Sequence, residues 1–192
     1  MSDSPRPTWR LLVVSTVLAL LAAAGTVVLL SDGGDDDVST DATSPVTLVP
    51  DEAVPTFDEA TYTSFDGEEV PLSSVRGTPT VLNFWASYCT PCLQEMPAFE
   101  EVYREVDADE VAFLGLAVAD RTDDAQEMAK KTGVTYPLGQ DKDASVITAL
   151  EGAVLPTTVL LDADGEVVAR HAGQLTADQL RSLLADELGI KT

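Results

Sequence analysis

Apolar residues fall into two patterns along this chain: one long uncharged run near the start and, beyond an acidic stretch, short runs at strand or helix spacing. The long run, residues 11–30 (LLVVSTVLALLAAAGTVVLL), has the length of a helix that crosses a bilayer. From residue 56 the pattern changes. Phe57 and Tyr62, a turn at Asp66-Gly67, and an apolar return through Val70 and Leu72 predict an N-terminal hairpin. Val81-Leu82-Asn83-Phe84-Trp85 predicts a buried central strand. A helix follows it, with Pro91 in the first turn and Leu93, Met96, Phe99 and Val102 at helical spacing, bent at Pro97 one turn in. The run from Val111 to Val118 predicts a second central strand. Helices are expected over 123–131, stopping near Gly133, and over 144–150. A strand at 158–161, a turn at 162–165 and a returning strand at 166–170 come next. A last helix over 176–188 carries Leu180, Leu183, Leu184 and Leu188 on one face. Strands alternating with helices point to an α/β domain built on parallel crossovers.

Charge settles how the segments are organised. Arg6 and Arg10 precede the long apolar run and Asp32, Asp35, Asp36 and Asp37 follow it, a bias that puts residues 1–10 in the cytoplasm and the bulk of the chain outside. A cleaved signal peptide is the alternative, with Ala22-Ala23-Ala24 as the small-residue site. The anchor fits better because Thr26 to Leu30 continue the apolar run past that site. Residues 31–55, rich in Asp, Ser, Thr, Gly and Pro, form an expected disordered acidic linker with a reach of about 25 to 30 Å. Residues 56–192 remain as one domain, and the 45% hydrophobic content supplies a core. The formal charge of −22, with only 11 basic residues, excludes a nucleic-acid partner.

The chemistry centres on Cys89 and Cys92, the only two cysteines, at the junction between strand and helix. A thiol at a helix N-terminus faces free backbone N–H groups and the positive end of the dipole, and both favour the thiolate. Cys89 is therefore the expected attacking sulfur. Cys92, about one helical turn on, can attack a mixed disulfide on Cys89 and is the expected buried, resolving thiol. Thr90 and Pro91 place no positive charge between them, which favours a reductant over a strong oxidant. The pair excludes a disulfide-stapled fold. A structural zinc site is also disfavoured, because only His171 remains as a further nitrogen or sulfur donor and lies at an expected strand end.

WASYCTPC followed by QEMP, the preceding DGEEVPLSSVRGTPT, and LPTTVLLDADGEVV near the C-terminus resemble the TlpA-like or ResA-like branch of the thioredoxin superfamily. The resemblance spans residue 55 to the end. It implies a thioredoxin-like fold, a central mixed sheet flanked by helices with an N-terminal hairpin extension, in a membrane-anchored thiol-disulfide oxidoreductase. It implies that Cys89 attacks, that Cys92 resolves, and that Glu95 exchanges a proton with the resolving thiol. Pro156 is by the same resemblance a cis-proline facing the cysteines, with Leu155 and Thr157 flanking a substrate groove. Trp85 is expected as core and active-site wall. Two positions depart from the cytosolic thioredoxin pattern: Asn83 stands in place of a buried aspartate, and Tyr88, a candidate partner contact, in place of a tryptophan. The first is usual in this branch.

The reading that results is an extracytoplasmic enzyme with no cofactor beyond a redox-active Cys89–Cys92 disulfide. It reduces disulfides in exported proteins, apocytochromes c among the implied clients, and takes electrons from a transmembrane thiol carrier. Two other readings stand beside it. One is a Cu(I)-binding module held by the two thiolates, and the other a peroxiredoxin-like peroxidase using Cys89.

Overall fold

The computed structural model describes residues 55–191; the expected anchor and all of the linker but Pro55 lie outside them. One sheet organises this region. Its strands are β1 (Thr61–Ser64), β2 (Glu69–Pro71), β3 (Thr80–Trp85), β4 (Ala112–Val118), β5 (Leu138–Asp141), β6 (Thr157–Leu161) and β7 (Val167–Ala172), in the spatial order β2-β1-β5-β4-β3-β6-β7. β3, β4 and β5 run parallel, while β6, β7 and the β1–β2 hairpin run antiparallel to their neighbours. The sheet is therefore mixed, and the hairpin extends it by pairing with β5.

Every residue of β3 is buried, as a strand covered on both faces requires. Val81, Asn83 and Trp85 point to one side and Leu82 and Phe84 to the other. The first side is covered by helices α1 (Thr90–Tyr103), α2 (Thr122–Thr132) and α4 (Ala177–Leu188). The second is filled by Leu114, Leu116, Val159 and Leu161 together with Val146 and Ile147 of α3 (Ser145–Ala149). α2 ends on Gly133, whose φ of 73° is the left-handed conformation that stops a helix. Thr176 caps α4 through a reciprocal pair of bonds with Gln179.

One expectation needs correction and one element was not foreseen. α1 is one 14-residue element that continues through Pro97, which lies further in than one turn. Met96, Phe99 and Val102 flank that proline and are all buried, and this packing outweighs the hydrogen bond that proline cannot donate. The strand β5 is absent from the sequence reading. Its residues LGQD are neither β-branched nor alternating, and Gln140 and Asp141 are buried polar groups satisfied from outside the strand. Thr122 donates to Gln140 Oε1, while the Val146 and Ile147 N–H groups donate to the Asp141 carboxylate, which caps α3. Among the described residues no helix is long and apolar enough to cross a membrane.

Candidate active site

Cys89 occupies the N-cap of α1 in extended backbone conformation, and its sulfur accepts the Cys92 N–H at 3.3 Å. The helix start thus presents a backbone donor to the position where a thiolate would carry its charge. The two sulfurs are joined in a disulfide of 2.03 Å. Cys89 retains 8% of its surface and Cys92 none, so a partner can reach only the first. Trp85 is fully buried in the same cluster as both cysteines, with Met96, Ala117 and Met128 around it.

The loop that delivers Cys89 is pinned from outside. Ser87 donates both its N–H and its hydroxyl to the Asp120 carboxylate, on the loop after β4, and the Cys89 N–H bonds to Ala86 O. Tyr88, between these anchors, is 69% exposed. The Leu155–Pro156 peptide bond is cis, and Leu155 packs against the cysteine cluster. Thr157 is buried in β6 between β3 and β7, and its hydroxyl turns back to Val154 O at 2.7 Å. Val154 itself is 53% exposed, which gives the loop an apolar tip beside Leu155.

Glu95 lies one turn beyond Cys92 on α1 and has no exposed surface. Its Oε1 accepts Asn83 Nδ2 at 2.7 Å and its Oε2 accepts the Leu175 N–H at 2.8 Å. Burial pushes its pKa up from 4.5 to about 7, and the two donors, Leu175 before Asn83, act against that rise. A carboxyl near neutrality can both take and give a proton. Tyr136, buried on the same face, is held neutral by its burial first and then by the charges of Glu95 and Glu100. Glu100 sets its position by accepting the N–H and hydroxyl of the preceding Thr135. The strap between β7 and α4 ties the proline loop to this carboxyl: Gly173, at φ 105°, donates to Pro156 O, and Leu175 donates to Glu95.

The structure gathers Trp85, Cys89, Cys92 and Leu155 into one cluster, with Glu95 adjoining on α1 and Pro156 in the loop beside them. His171 lies half-buried on β7. Sequence reasoning missed Asp120, Tyr136 and the Leu175 N–H. Asp120 carried a usable signal, a carboxylate at the C-terminal end of a parallel strand, where α/β sites gather. Leu175 carried none, because it contributes a backbone group. Among the described residues no three of His, Cys, Asp and Glu are grouped as a metal site needs; the soft-donor pair is the two sulfurs themselves.

The model of the AhpC/TSA family matches residues 50–170. The chain is similar to the thiol-disulfide oxidoreductase ResA of Halalkalibacterium halodurans, 32% identical over 119 residues that cover 62% of this chain and 68% of that one. Among solved structures it is similar to MTB dsbF in its mixed oxidized and reduced forms, with TM-score 0.59 and 29% identity over 66% of this chain and 92% of that one. It is also similar to a secreted thiol-disulfide isomerase from Corynebacterium glutamicum, with TM-score 0.60 and 25% identity over 68% and 81% of the respective chains.

Proposed function

The chain belongs to the AhpC/TSA family and is a thiol-disulfide oxidoreductase, and from that premise we propose that it acts as a reductant of disulfides in exported partner proteins. The observation that carries this reading is a half-shielded Cys89–Cys92 pair at a helix start, with a fully buried carboxyl of near-neutral pKa one turn behind it.

In the reduced chain the Cys89 thiolate attacks a client disulfide, forms a mixed disulfide and expels one client thiolate, which takes a proton from solvent. Cys92 then gives its proton to Glu95 and attacks the Cys89 sulfur. The Cys89–Cys92 bond forms, the Cys89–client bond breaks, and the second client thiolate leaves and is protonated. Glu95 releases the proton it took. An external dithiol resets the pair by the reverse sequence, and a transmembrane thiol carrier fits that role. Tyr88, Leu155 and Pro156 flank the reacting sulfur and would receive the client chain, with Trp85 as the wall behind it and Thr157 as the buried flank of the groove. In this reading residues 11–30 anchor the chain, the acidic linker tethers the domain outside the membrane, and apocytochromes c are among the clients. The apolar run and its charge flanks support that placement.

The test mixes the full-length reduced chain with a disulfide-bonded client peptide. Cys92→Ser should accumulate a mixed disulfide that dithiothreitol releases, and Cys89→Ser should form none. A two-electron transition near about −270 mV supports the reductant, and one near about −120 mV turns the assignment to an oxidant. Rapid peroxide consumption undiminished in Cys92→Ser would replace the proposal with a peroxidase. Labelling of Cys89 by a membrane-impermeant maleimide in intact, reduced cells tests the placement.

A further inference from the structure

The carboxylate of Asp120 meets the segment before Cys89 at two points. Ser87 donates its N–H to Oδ2 at 2.5 Å and its hydroxyl to Oδ1 at 2.8 Å. Residues 86–89 form a turn closed by the Cys89 N–H on Ala86 O at 3.1 Å, and Ser87 is its first central residue. The carboxylate therefore grips the turn whose last residue carries the attacking sulfur. That residue is also the N-cap of α1, where Sγ accepts the Cys92 N–H.

The grip comes from a part of the fold that is itself held. β4 ends at Val118, and the next residue, Ala119, takes a φ of 46°. Left-handed backbone is costly for a residue with a Cβ and persists only where its surroundings fix it. Ala119 is exposed, so the packing of its own side chain does not call for this conformation. What holds it is polar. Its N–H donates to Asp141 O at 2.9 Å, and the following Asp120 O accepts Nε2 of the buried Gln140 at 3.5 Å. Gln140 is fixed in turn by the hydroxyl of Thr122, the first residue of α2, at 2.9 Å. The Arg121 N–H donates to Asp120 Oδ1 at 2.8 Å and sets the orientation of the carboxylate. β4, β5 and α2 thus position the carboxylate, and the carboxylate positions the turn.

This hold matters most in the reacting state. In the oxidised chain the Cys89–Cys92 bond ties the end of the turn to α1. Reduction removes that tie, and the alignment of Cys89 Sγ on the Cys92 N–H then depends on how firmly the turn is held. We propose that Asp120 is a positioning residue for Cys89: by holding Ser87 at both its N–H and its hydroxyl, it keeps the reduced turn aiming the sulfur at the helix start and so sustains the thiolate. It acts through its hydrogen bonds and not its charge, because a negative group near the sulfur would by itself oppose the thiolate. The catalytic meaning rests on Cys89 as the attacking sulfur of the proposed function, whereas the positioning requires only that Cys89 ionise.

The test follows alkylation of Cys89 by iodoacetamide against pH, in the full-length chain carrying Cys92→Ser so that a single thiol reacts. The midpoint of the rate reports the thiolate. Asp120→Ala removes the charge and both bonds to Ser87. Asp120→Asn removes the charge but keeps both bonds, with Oδ1 accepting the Ser87 N–H and Nδ2 donating to Ser87 Oγ; only the Arg121 N–H contact is lost. The difference between the two variants isolates the hold on Ser87, and the titration of Glu95, common to both, cancels. The midpoint should lie about half a unit higher in Asp120→Ala than in Asp120→Asn, roughly threefold in the ionisation constant. Ser87→Ala should raise the midpoint by less and should add nothing in the Asp120→Ala background. Equal midpoints in the two Asp120 variants overturn the inference, even where Asp120→Ala melts at a lower temperature, since the residue then serves stability alone. If Asp120→Ala does not fold, an unmoved midpoint in Ser87→Ala overturns it instead. A chain whose midpoints separate but whose Cys89 forms no mixed disulfide with a client peptide keeps this inference and loses the proposed function.

Discussion

A carboxyl with no exposed surface imposes a pH dependence on folding as well as on chemistry, and at Glu95 the two have opposite signs. Its folded-state pKa, about 7, stands above the ordinary 4.5, so between those values the folded chain keeps a proton that the unfolded chain has released. Stability from this group is therefore fully present at low pH, falls as pH rises through the interval, and levels off above about 7. The shift corresponds to about 3 kcal/mol. Glu95→Gln should remove it: in urea titrations the variant gains on the unsubstituted chain from pH 5 to pH 8, with little difference below pH 5. The proposed reaction needs the opposite state, because only an ionised carboxyl can accept the Cys92 proton. Resolution of the mixed disulfide should accelerate through pH 7 in the unsubstituted chain. In Glu95→Gln it should lose that step and slow by on the order of 100-fold, as stopped-flow release of the client thiol would show. Equal resolving rates in the two chains would remove Glu95 from the proton path.

At the scale of elements, the site depends on how closely β3 and β4 let side chains approach. Gly115 on β4 is the register partner of Asn83, and a Cβ there would lie 2.6 Å from Leu138 Cδ2, 3.0 Å from the Tyr136 ring and 3.2 Å from Trp85 Nε1. Gly115→Ala should therefore cost about 1–3 kcal/mol and displace the Trp85 ring, which a lower melting temperature and a shifted fluorescence maximum would report. The elements that carry the chemistry were legible because their signals are local. The apolar run of β3 gave its burial, the spacing after Pro91 gave α1, and the spacing of Leu180, Leu183, Leu184 and Leu188 gave α4. What escaped is held by distant partners. β5 owes its place to bonds from Thr122, Val146 and Ile147, and the carboxyl of Glu95 is fixed by a backbone N–H 80 residues away. The cysteines declared themselves by position, and Glu95 and Pro156 through the family pattern, whereas the Thr157 hydroxyl turns inward in a way that no motif records.

Over the whole molecule, acidic groups outnumber basic ones 33 to 11, and the arginines among the described residues are already engaged. Arg76, Arg104, Arg121 and Arg170 are each paired with a carboxylate, and Arg181 gathers Glu101, Glu105 and Asp178 to join α1 to α4. What faces a client is therefore net negative, and the field extends as far as salt allows: about 30 Å at 0.01 M and about 8 Å at 0.15 M. Attack by Cys89 is a bimolecular encounter, so this charge acts on the approach and not on the bond exchange that follows. Two client peptides with the same disulfide, one basic and one acidic, should separate on that ground. With Cys92→Ser, which stops at the mixed disulfide, the basic peptide should react severalfold faster at low salt. Raising the salt should slow it and speed the acidic one until the rates converge. Rates that differ equally at both salt levels would place the discrimination in direct contacts near Tyr88 and Leu155. Rates that never differ would mean that the acidic excess lies too far from Cys89 to steer anything towards it.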